Sequence, residues 1–451
     1  MRVTIIGAGG FRTPLTYRAL LEARARLDLN EVVLHDSDTA RLGTIEAVLA
    51  GIDAEGGVSL PRRHETDLAA AVRGAAFVLC AIRVGGLEGR IVDEAVPLAH
   101  GVLGQETVGP GGIAFALRTL GPMRDIAVAV ARHAPDAWLV NFTNPAGMIT
   151  EALTPILGER VVGICDSPDH LVREVAAAIG APPGELAVDY AGLNHLGWVV
   201  GARRAGHDLL PGLLADDERL ARLPAAGLFG IPRLRELGAV PNEYLVYFEH
   251  PDRAMEGFRR EGATRGQALA QGQDAFYAAA PEPGRDAARA WRRAVHARNR
   301  TYMREARTAE LDEPLEGEDE QPAGGYEAAA LAVLEALSGA AARVLILNVV
   351  NRGALPFLDR DAVVEVPAVV GPGGVRPLAA GELPAEAREL VVRVKEVERL
   401  TIRAAAEGSR ALALEAIAHH PLVPSAAVAQ RIIADYVARQ PAVAAVVGHA
   451  V

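Results

Sequence analysis

Strand-like and helix-like segments alternate along the first 165 residues, and this alternation constrains the fold more than any other feature. The apolar runs "RVTII", "EVVLHD" and "AAFVLCAI" alternate with stretches of helical spacing. Such a pattern is typical of parallel strands connected by crossover helices. "AAFVLCAI" carries no charge, as expected of a strand that is buried on both faces. We therefore predict an α/β fold built on a Rossmann-like, doubly wound parallel sheet.

The order of segments changes beyond residue 190, where strands and helices no longer alternate. "ARVLILNVVNRG" and "AVVEVPAVVG" indicate strands, whereas the C-terminal stretch from "AREL" onward has the spacing of helices. An acidic run rich in Pro and Gly, residues 308–325, is expected to form a solvated loop. We predict two domains, residues 1–190 and residues 191–451, with α+β order in the second.

The composition restricts the compartment and the partners. The chain of 451 residues carries a net charge of −11, which argues against a nucleic acid partner. No apolar run approaches the roughly 20 residues that a membrane-spanning helix needs. Two cysteines do not make a disulfide framework. We expect a cytoplasmic protein in which a conspicuous thiol is inert, catalytic or metal-bound.

Three glycines, Gly7, Gly9 and Gly10, lie at the turn between the first strand and the first helix. Glycine at this turn lets a pyrophosphate approach the backbone, and the helix N-terminus adds partial positive charge. Asp36, at the end of the second strand, can accept hydrogen bonds from ribose hydroxyls and would repel a 2′-phosphate. The pattern favours NAD over NADP, although Arg12 replaces the usual third glycine. Under the alternative, the glycines only form a tight turn and Asp36 caps the next helix.

Residues 82–112 hold more charges and glycines than a simple crossover needs, including Arg83, Arg90 and Glu106. Glycines cost conformational entropy, so such a run is plausible where the backbone must approach a ligand. "NFTNPAG" follows a strand at the edge where open α/β sheets bind ligands, and the side chain of Asn144 can bond sugar hydroxyls. The alternatives for these two stretches are a flexible loop with solvated charges and ordinary Asn-Pro turn chemistry.

Cys165, in "GICDSP", and His195, in "GLNHLGW", are candidate metal ligands. Taken singly, such a cysteine is more often a small core residue, and a lone histidine is more often a core side chain with satisfied hydrogen bonds. Tyr244, in "NEYLVYF", is by itself more often a packing residue, and Tyr247 lies in the same stretch. From the residues alone, a thiolate and an imidazole favour Zn²⁺ or Fe²⁺.

Taken together, these motifs resemble a known enzyme family. "IRVGGLEGR", "GQETVGPGG", "NFTNPAG", "GICDSP", "GLNHLGW" and "NEYLVYF" occur in the order found in the NAD-dependent and metal-dependent glycoside hydrolases of family four. The likeness runs over nearly the whole chain. It implies a glycosidase that uses NAD and a divalent ion, usually Mn²⁺, on a small sugar substrate. It also implies a C-terminal domain similar to that of lactate and malate dehydrogenases, and a homodimer or homotetramer.

The resemblance assigns the chemistry to a few positions. Cys165 and His195 match the metal ligands of the family. Tyr244 matches the catalytic base, and Asp166, directly after the metal-binding cysteine, matches the proton donor of some members. Glu106 matches the glutamate that tunes the base.

The resemblance also assigns binding positions. Contacts to the substrate are expected from Arg90, Asn144 and Arg265. Contacts to NAD are expected from Gly7, Gly9, Gly10, Asp36 and Arg83.

The reaction route implied by the resemblance begins with hydride transfer from C3 of the sugar to NAD⁺, which makes the proton on C2 acidic. A base then removes that proton and the substituent at C1 leaves. Water adds and the steps reverse, so NAD⁺ is regenerated. Ordinary glycosidases use two carboxylates, and NAD-dependent members are an exception.

Two departures from the family pattern bear on the substrate. Phe11-Arg12 replaces the Ser-Thr or Ser-Tyr of many phosphoglucosidases, but Arg12 can itself bind a phosphate. Asp166 in place of Asn is more typical of α-specific members, whereas the general look of the chain is closer to 6-phospho-β-glucosidases. We predict a 6-phospho-β-glucosidase. The alternatives are a non-phosphorylated or α-specific glycosidase, a lactate/malate-type dehydrogenase, and a binding or sensor protein.

Overall fold

The computed structural model covers most of the chain. The described residues are 1–279, 284–300, 303–306, 325–339 and 341–448. The acidic run predicted to be a loop, residues 308–325, lies outside the described residues except for Gly325.

Within the described residues, thirteen strands form one sheet. In chain order the strands are β1 (Arg2–Ile6), β2 (Glu31–His35), β3 (Arg62–Glu65), β4 (Phe77–Cys80), β5 (Trp138–Asn141), β6 (Val161–Gly163), β7 (Ala187–Leu193), β8 (Leu196–Arg204), β9 (His207–Asp208), β10 (Val240–Pro241), β11 (Arg343–Val350), β12 (Val363–Gly371) and β13 (Gly374–Pro377).

Helices connect and cover these strands. In chain order they are α1 (Thr13–Ala23), α2 (Thr39–Gly56), α3 (Leu68–Val72), α4 (Gly86–Ala99), α5 (Gly109–His133), α6 (Ala146–Leu157), α7 (Ser167–Ile179), α8 (Leu210–Ala215), α9 (Asp217–Leu220), α10 (Pro224–Phe229), α11 (Ile231–Leu237), α12 (Val246–Glu249), α13 (Pro251–Glu261), α14 (Arg265–Ala278), α15 (Arg285–Asn299), α16 (Tyr326–Leu337), α17 (Ala385–Glu407), α18 (Arg410–His419), α19 (Ala426–Arg439) and α20 (Pro441–Val447). Short 3₁₀ turns occur at Pro183–Glu185, Glu243–Leu245 and Arg304–Ala306.

The first half of the sheet is parallel. Its strands pair in the order β3-β2-β1-β4-β5-β6. Val32, Val33 and Leu34 of β2 are fully buried, as expected where helices cover both faces. The strand order reverses between β1 and β4, which is the doubly wound arrangement. The predicted Rossmann-like sheet is therefore confirmed.

The second half of the sheet is antiparallel and continues from β6 in the order β11-β12-β7-β8-β10. It joins the parallel half through one residue pair, Gly163 with Asn348. A second single pair, Glu365 with Gly192, joins β12 to β7. The predicted boundary between residues 190 and 191 falls inside β7 and stays a prediction.

No helix in the described part of the chain combines the length and the apolar character needed to cross a bilayer.

A buried ion pair ties the C-terminal helices to the segment after β4. Arg118 donates to both carboxylate oxygens of Asp93, at 2.7 and 2.5 Å, and to the carbonyl of Val84 at 2.8 Å. Gln440 donates to the same carboxylate at 2.5 Å, and the hydroxyl of Tyr436 donates to the carbonyl of Asp93 at 2.8 Å. Because both charged side chains are fully enclosed, each depends on the other for compensation.

Arg118→Met tests whether this ion pair holds the fold together. The substitution leaves the Asp93 carboxylate buried without a counter-ion, at a cost of about 3–5 kcal/mol in unfolding free energy. We expect the midpoint of thermal unfolding, followed by circular dichroism, to fall by several degrees. Arg222→Met is the matched control, because Arg222 pairs with Glu218 at the surface, where a pair contributes about 0–1 kcal/mol. Equal midpoints in the two variants would contradict the assignment.

Candidate active site

A cavity of about 690 Å³ lies between the glycine turn after β1 and the second half of the chain. It is lined by most of the residues that the sequence predicted for the site: Gly7, Gly10, Arg83, Arg90, Glu106, Asn144, Asp166, Tyr244 and Arg265. The remaining predicted residues do not line the cavity but contact each other or residues that do line it: Gly9, Asp36, Cys165 and His195. The volume is typical of a site for a small-molecule ligand or cofactor.

The glycine turn is built for close backbone approach. The N–H groups of Gly7 and Ala8 both donate to the carbonyl of His35 at 3.0 Å. Gly7 has φ +85°, and a Cβ added there would lie 2.5 Å from the carbonyl oxygen of Ala81. A side chain is therefore excluded at Gly7 by both conformation and space. The turn lies at the carboxyl ends of β1 and β4, where doubly wound sheets bind ligands.

Asp36 supports this turn. Its Oδ2 accepts from the N–H of Gly9 at 2.7 Å. The alternative in which Asp36 caps the next helix is wrong, because the N-cap of α2 is Asp38, whose side chain accepts from the N–H of Arg41 at 2.9 Å. Asp36 remains partly exposed at the edge of the sheet, where the ribose of a dinucleotide is expected.

Helices of the second half hold the glycine turn from the other side. The hydroxyl of Tyr277 donates to the carbonyl of Gly9 at 2.7 Å, and Nε1 of Trp291 donates to the carbonyl of Phe11 at 2.9 Å. The ring of Phe11 meets that of Phe276 edge-on at 5.5 Å. The aromatic residue at position 11 is therefore part of the packing between α14, α15 and the turn.

Glu106 bridges two arginines on the cavity wall. Its Oε2 lies 2.6 Å from Nη1 of Arg90, and its Oε1 forms an ion pair with Arg83. Arg90 also donates to Glu94 at 2.7 Å. Burial, and after it the charge of Arg90, lower the pKa of Arg83 to about 9. Positive charge at this wall is thus only partly compensated.

Further arginines add to the positive charge of the cavity. Arg12, Arg265 and Arg298 all line it. Burial, and after it the charges of Arg12 and Arg265, lower the pKa of Arg298 to about 9. An anionic ligand relieves this repulsion, since guanidinium groups bind phosphate and carboxylate with paired hydrogen bonds.

His195 and Tyr244 lie face to face. Their ring centroids are 3.8 Å apart and their planes differ by 7°. His195 is in the left-handed conformation, with φ +62°, in the two-residue turn between β7 and β8. Burial lowers the pKa of His195 to about 3, so its imidazole is neutral, and its buried Nε2 has no hydrogen-bond partner among the described residues. A neutral imidazole with an unused ring nitrogen suits metal ligation.

The neighbouring Tyr247 is engaged elsewhere. Its hydroxyl donates to Oε1 of Glu305 at 2.5 Å, and its side chain is 1% exposed. Burial and the charge of Glu305 raise the pKa of Tyr247 well above its usual range. A tyrosine in this state is poorly placed to act as a base, which favours Tyr244 of the two.

Cys165 and Asp166 lie between β6 and α7. The Sγ of Cys165 is 3.8 Å from the hydroxyl of Tyr326 and 4.0 Å from Oδ1 of Asp166. Burial, followed by the charge of Glu365, raises the pKa of the Cys165 thiol well above its usual range. Asp166 occupies the N-cap of α7 without a capping bond from its side chain, and it lies 3.8 Å from Arg12. Its carboxylate therefore faces the cavity.

Two buried polar atoms without hydrogen-bond partners fit a divalent ion held by few protein ligands. Nε2 of His195 and Oδ1 of Asn144 are both buried without a hydrogen-bond partner among the described residues. Such orphaned atoms are rare and indicate a missing partner. In the part of the chain that the structure describes, no three His, Cys, Asp or Glu side chains converge as a metal site. An ion bound by Cys165 and His195 would complete its shell with water or substrate oxygens.

Three residues at or beside the cavity were not predicted from the sequence: Arg298, Tyr326 and Glu365. Arg298 lies among many arginines of α15, and Tyr326 begins α16, so neither has a local signal. Glu365 had one, because it is a lone acid inside the apolar run "VVEVP". A charged residue in a buried strand is rare unless it has a specific partner.

Both halves of the chain match models of one protein family. Residues 2–181 match the family 4 glycosyl hydrolases, and residues 190–423 match the C-terminal domain of the family 4 glycosyl hydrolases. The two matches together span most of the chain.

Relatives are similar over nearly their full length. A 6-phospho-alpha-glucosidase of Leptotrichia buccalis is 29% identical over 454 residues, covering 96% of each protein. The 6-phospho-beta glucosidase of Thermotoga maritima, solved with NAD and glucose-6-phosphate, has a TM-score of 0.81 at 27% identity and covers 97% of each chain. A 6-phospho-alpha-glucosidase from gut microorganisms, solved with NAD and Mn²⁺, has a TM-score of 0.80 at 25% identity and covers 97% of each chain.

A likeness of fold extends to dehydrogenases. A lactate dehydrogenase from a deep-sea metagenome library has a TM-score of 0.51 at 14% identity, covering 90% of this chain and 98% of that chain. At this identity the match concerns the fold alone. The predicted likeness to lactate and malate dehydrogenases is confirmed at that level.

Gly7→Ala tests the glycine turn as the nucleotide site. The added methyl group meets the carbonyl oxygen of Ala81, and φ +85° is unfavourable for alanine. We expect NAD⁺ affinity, measured by isothermal titration calorimetry, to fall at least about tenfold, a loss of 1.4 kcal/mol. Gly43→Ala in α2 is the matched control, because a Cβ there meets nothing within 4 Å. Unchanged NAD⁺ affinity in a folded Gly7→Ala protein would place the nucleotide elsewhere.

Proposed function

The chain belongs to family 4 of the glycosyl hydrolases, and we propose that it is a 6-phosphoglucosidase that uses NAD and a divalent ion. Related enzymes named as 6-phosphoglucosidases are similar over nearly its whole length. Two solved relatives hold NAD, one of them with Mn²⁺, which supports NAD and Mn²⁺ as the cofactors of this chain. The homodimer or homotetramer implied by the family stays a prediction.

The observation that carries this proposal is the concentration of arginine around the cavity. Arg12, Arg265 and Arg298 line it together with the arginines that Glu106 bridges. Binding a neutral sugar alone gives no reason to gather so many cations at one site. A phosphate on the sugar places negative charge among them and matches the planar donor pattern of guanidinium groups.

When bound, NAD supplies a hydride acceptor for C3 of the sugar, and a divalent ion held by Cys165 and His195 supplies a Lewis acid. Tyr244 removes the proton on C2. Its ring is fixed by the stack on His195, so its hydroxyl has a defined direction.

Asp166 donates a proton to the leaving oxygen at C1. It adjoins Cys165 in sequence, so it lies beside the proposed ion, and its side chain lines the cavity. Asn144 binds a sugar hydroxyl, which supplies a partner for its buried Oδ1. Arg90 and Arg265 bind the anionic part of the substrate from opposite elements, α4 and α14.

The proposed activity has two candidate forms, which differ in whether the α or the β anomer of the substrate is cleaved. The sequence predicts the β anomer. The α anomer is favoured by one specific observation, the carboxylate of Asp166 facing the cavity without a capping role, because a carboxyl group there is typical of α-specific members. Relatives of both kinds are similar at 29% identity.

A substrate panel tests the reaction and the anomer. We expect release of 4-nitrophenol from one of the two 6-phosphorylated glucosides, α or β, in the presence of NAD⁺ and Mn²⁺, measured by absorbance, with no net formation of NADH. The unphosphorylated α and β glucosides serve as controls and should react far more slowly. Steady NADH formation without nitrophenol would instead identify a lactate/malate-type dehydrogenase.

Isotope incorporation tests the removal of the C2 proton. Product formed in D₂O should carry deuterium at C2, because Tyr244 exchanges its proton with solvent before the proton returns. Mass spectrometry and proton NMR of the released sugar phosphate measure the label. Product without deuterium at C2 would rule out the elimination route while leaving a direct displacement open.

A further inference from the structure

Glu365 is a carboxyl group buried in the middle of the sheet with no role in the proposed reaction. It lies on β12 between two valines and is 1% exposed. Its Oε1 accepts from the side-chain amides of Asn348, at 2.9 Å, and Asn194, at 3.2 Å. Its Oε2 accepts from the hydroxyl of Tyr190 at 3.0 Å. Neutral donors thus surround it from three directions.

Within the described part of the chain, no cation compensates this carboxyl group. Among the described residues, no arginine, lysine or histidine forms an ion pair with Glu365, whereas the buried acids Asp93, Glu94 and Glu398 all have one. Burial raises the pKa of Glu365 to about 7, as expected of an acid without a cation. A buried charge is costly unless it is paired, so its partner should lie in the cavity.

The position of Glu365 relates it to both proposed metal ligands. Its backbone pairs with Gly192, three residues before His195, and its hydrogen-bond donor Asn194 directly precedes His195. Its charge is near enough to Cys165 to act on the sulfur. The carboxyl group is therefore joined to the turn that carries His195 and is close enough to Cys165 to act on its charge.

Asn194 links this carboxyl group to the conformation of His195. The amide nitrogen of Asn194 donates to Glu365, and its Oδ1 accepts from the N–H of Ala146 at 3.1 Å. Both ends of the amide are thus fixed. This anchoring holds the next residue, His195, in its left-handed conformation, which is otherwise unfavourable for a residue with a side chain.

Charge balance gives the carboxyl group a function. A divalent cation bound by one thiolate and one neutral imidazole retains a net charge of +1 within a buried site. We propose that Glu365 is a positioning residue of the metal site, which supplies the second negative charge and fixes the turn carrying His195 through Asn194. This inference rests on the proposed assignment of Cys165 and His195 as ligands.

Glu365→Gln separates charge from shape. The amide oxygen still accepts from Asn194 and Asn348, and the new amide can donate to Tyr190, so the main loss is the charge. We expect Mn²⁺ affinity, measured on the full chain from the electron paramagnetic resonance signal of free Mn²⁺, to fall at least about tenfold, as is usual when an outer partner of a metal site is lost. NAD⁺ affinity and the midpoint of thermal unfolding should stay close to those of the unchanged protein.

Glu335→Gln is the matched control for the loss of one negative charge. The carboxylate of Glu335 pairs with Arg26 at 2.7 Å and Arg343 at 3.1 Å, away from the cavity. Its Mn²⁺ affinity should equal that of the unchanged protein. If Glu335→Gln and Glu365→Gln weaken Mn²⁺ binding equally, the loss of affinity results from the change in the net charge of the protein, and the proposal is wrong.

Glu365→Asp provides an independent test, which also serves if Glu365→Gln does not fold. Aspartate keeps the charge and shortens the side chain by one methylene, so Mn²⁺ affinity should stay near that of the unchanged protein. A loss of about tenfold or more with intact NAD⁺ binding would overturn the role of the charge.

Cys165→Ser tests the proposed ligand assignment separately from the role of Glu365. If Cys165→Ser binds Mn²⁺ as well as the unchanged protein does, the ligand assignment is wrong and the inference fails with it. If Cys165→Ser loses Mn²⁺ while Glu365→Gln keeps it, the ligands stand and only the role of Glu365 is refuted.

Discussion

The site depends on two strand contacts that are each made by a single residue pair, one between the parallel and antiparallel halves of the sheet and one within the antiparallel half. Gly163 pairs with Asn348, and Gly192 pairs with Glu365. Glycine is required at both places, because a Cβ at Gly163 would lie 2.4 Å from Oγ1 of Thr150 and one at Gly192 would lie 2.1 Å from a carbonyl oxygen. These close approaches bring the segments before Cys165 and before His195 to the same group of side chains, in which Asn194 and Asn348 donate to Glu365.

A second constraint is the sign of the charge on each side of the cavity. The wall near the glycine turn and α4 carries arginines, and Glu106 compensates only part of their charge. The wall near β6 carries Asp166, and Cys165 and Glu365 lie near it without lining the cavity. A substrate with an anionic end and a reacting end that meets a cation matches this polarity, since each end then faces opposite charge.

The sequence predicted what is set by local patterns. The alternation of strands and helices determined the parallel half, and Gly7 and Asp36 marked the turn that a dinucleotide needs. Cys165 and His195 could be paired only through the resemblance, because they follow different strands, β6 and β7, and no local pattern links the two. Arg298 and Tyr326 could not be found at all, since nothing in a basic helix or at a helix start indicates which side chain reaches a cavity.

The fold is shared with lactate and malate dehydrogenases, so the nucleotide turn does not distinguish between the two reactions, whereas His195 does. A dehydrogenase that reduces a keto acid needs a group that exchanges a proton near neutral pH, and such a group works best when its pKa is close to that pH. Burial lowers the pKa of His195 to about 3. A histidine in that state stays neutral near neutral pH and therefore does not gain and lose a proton as such a dehydrogenase requires. Its ring is stacked on Tyr244 and its Nε2 has no hydrogen-bond partner among the described residues, which fits a structural or ligating role better than proton exchange with a keto acid.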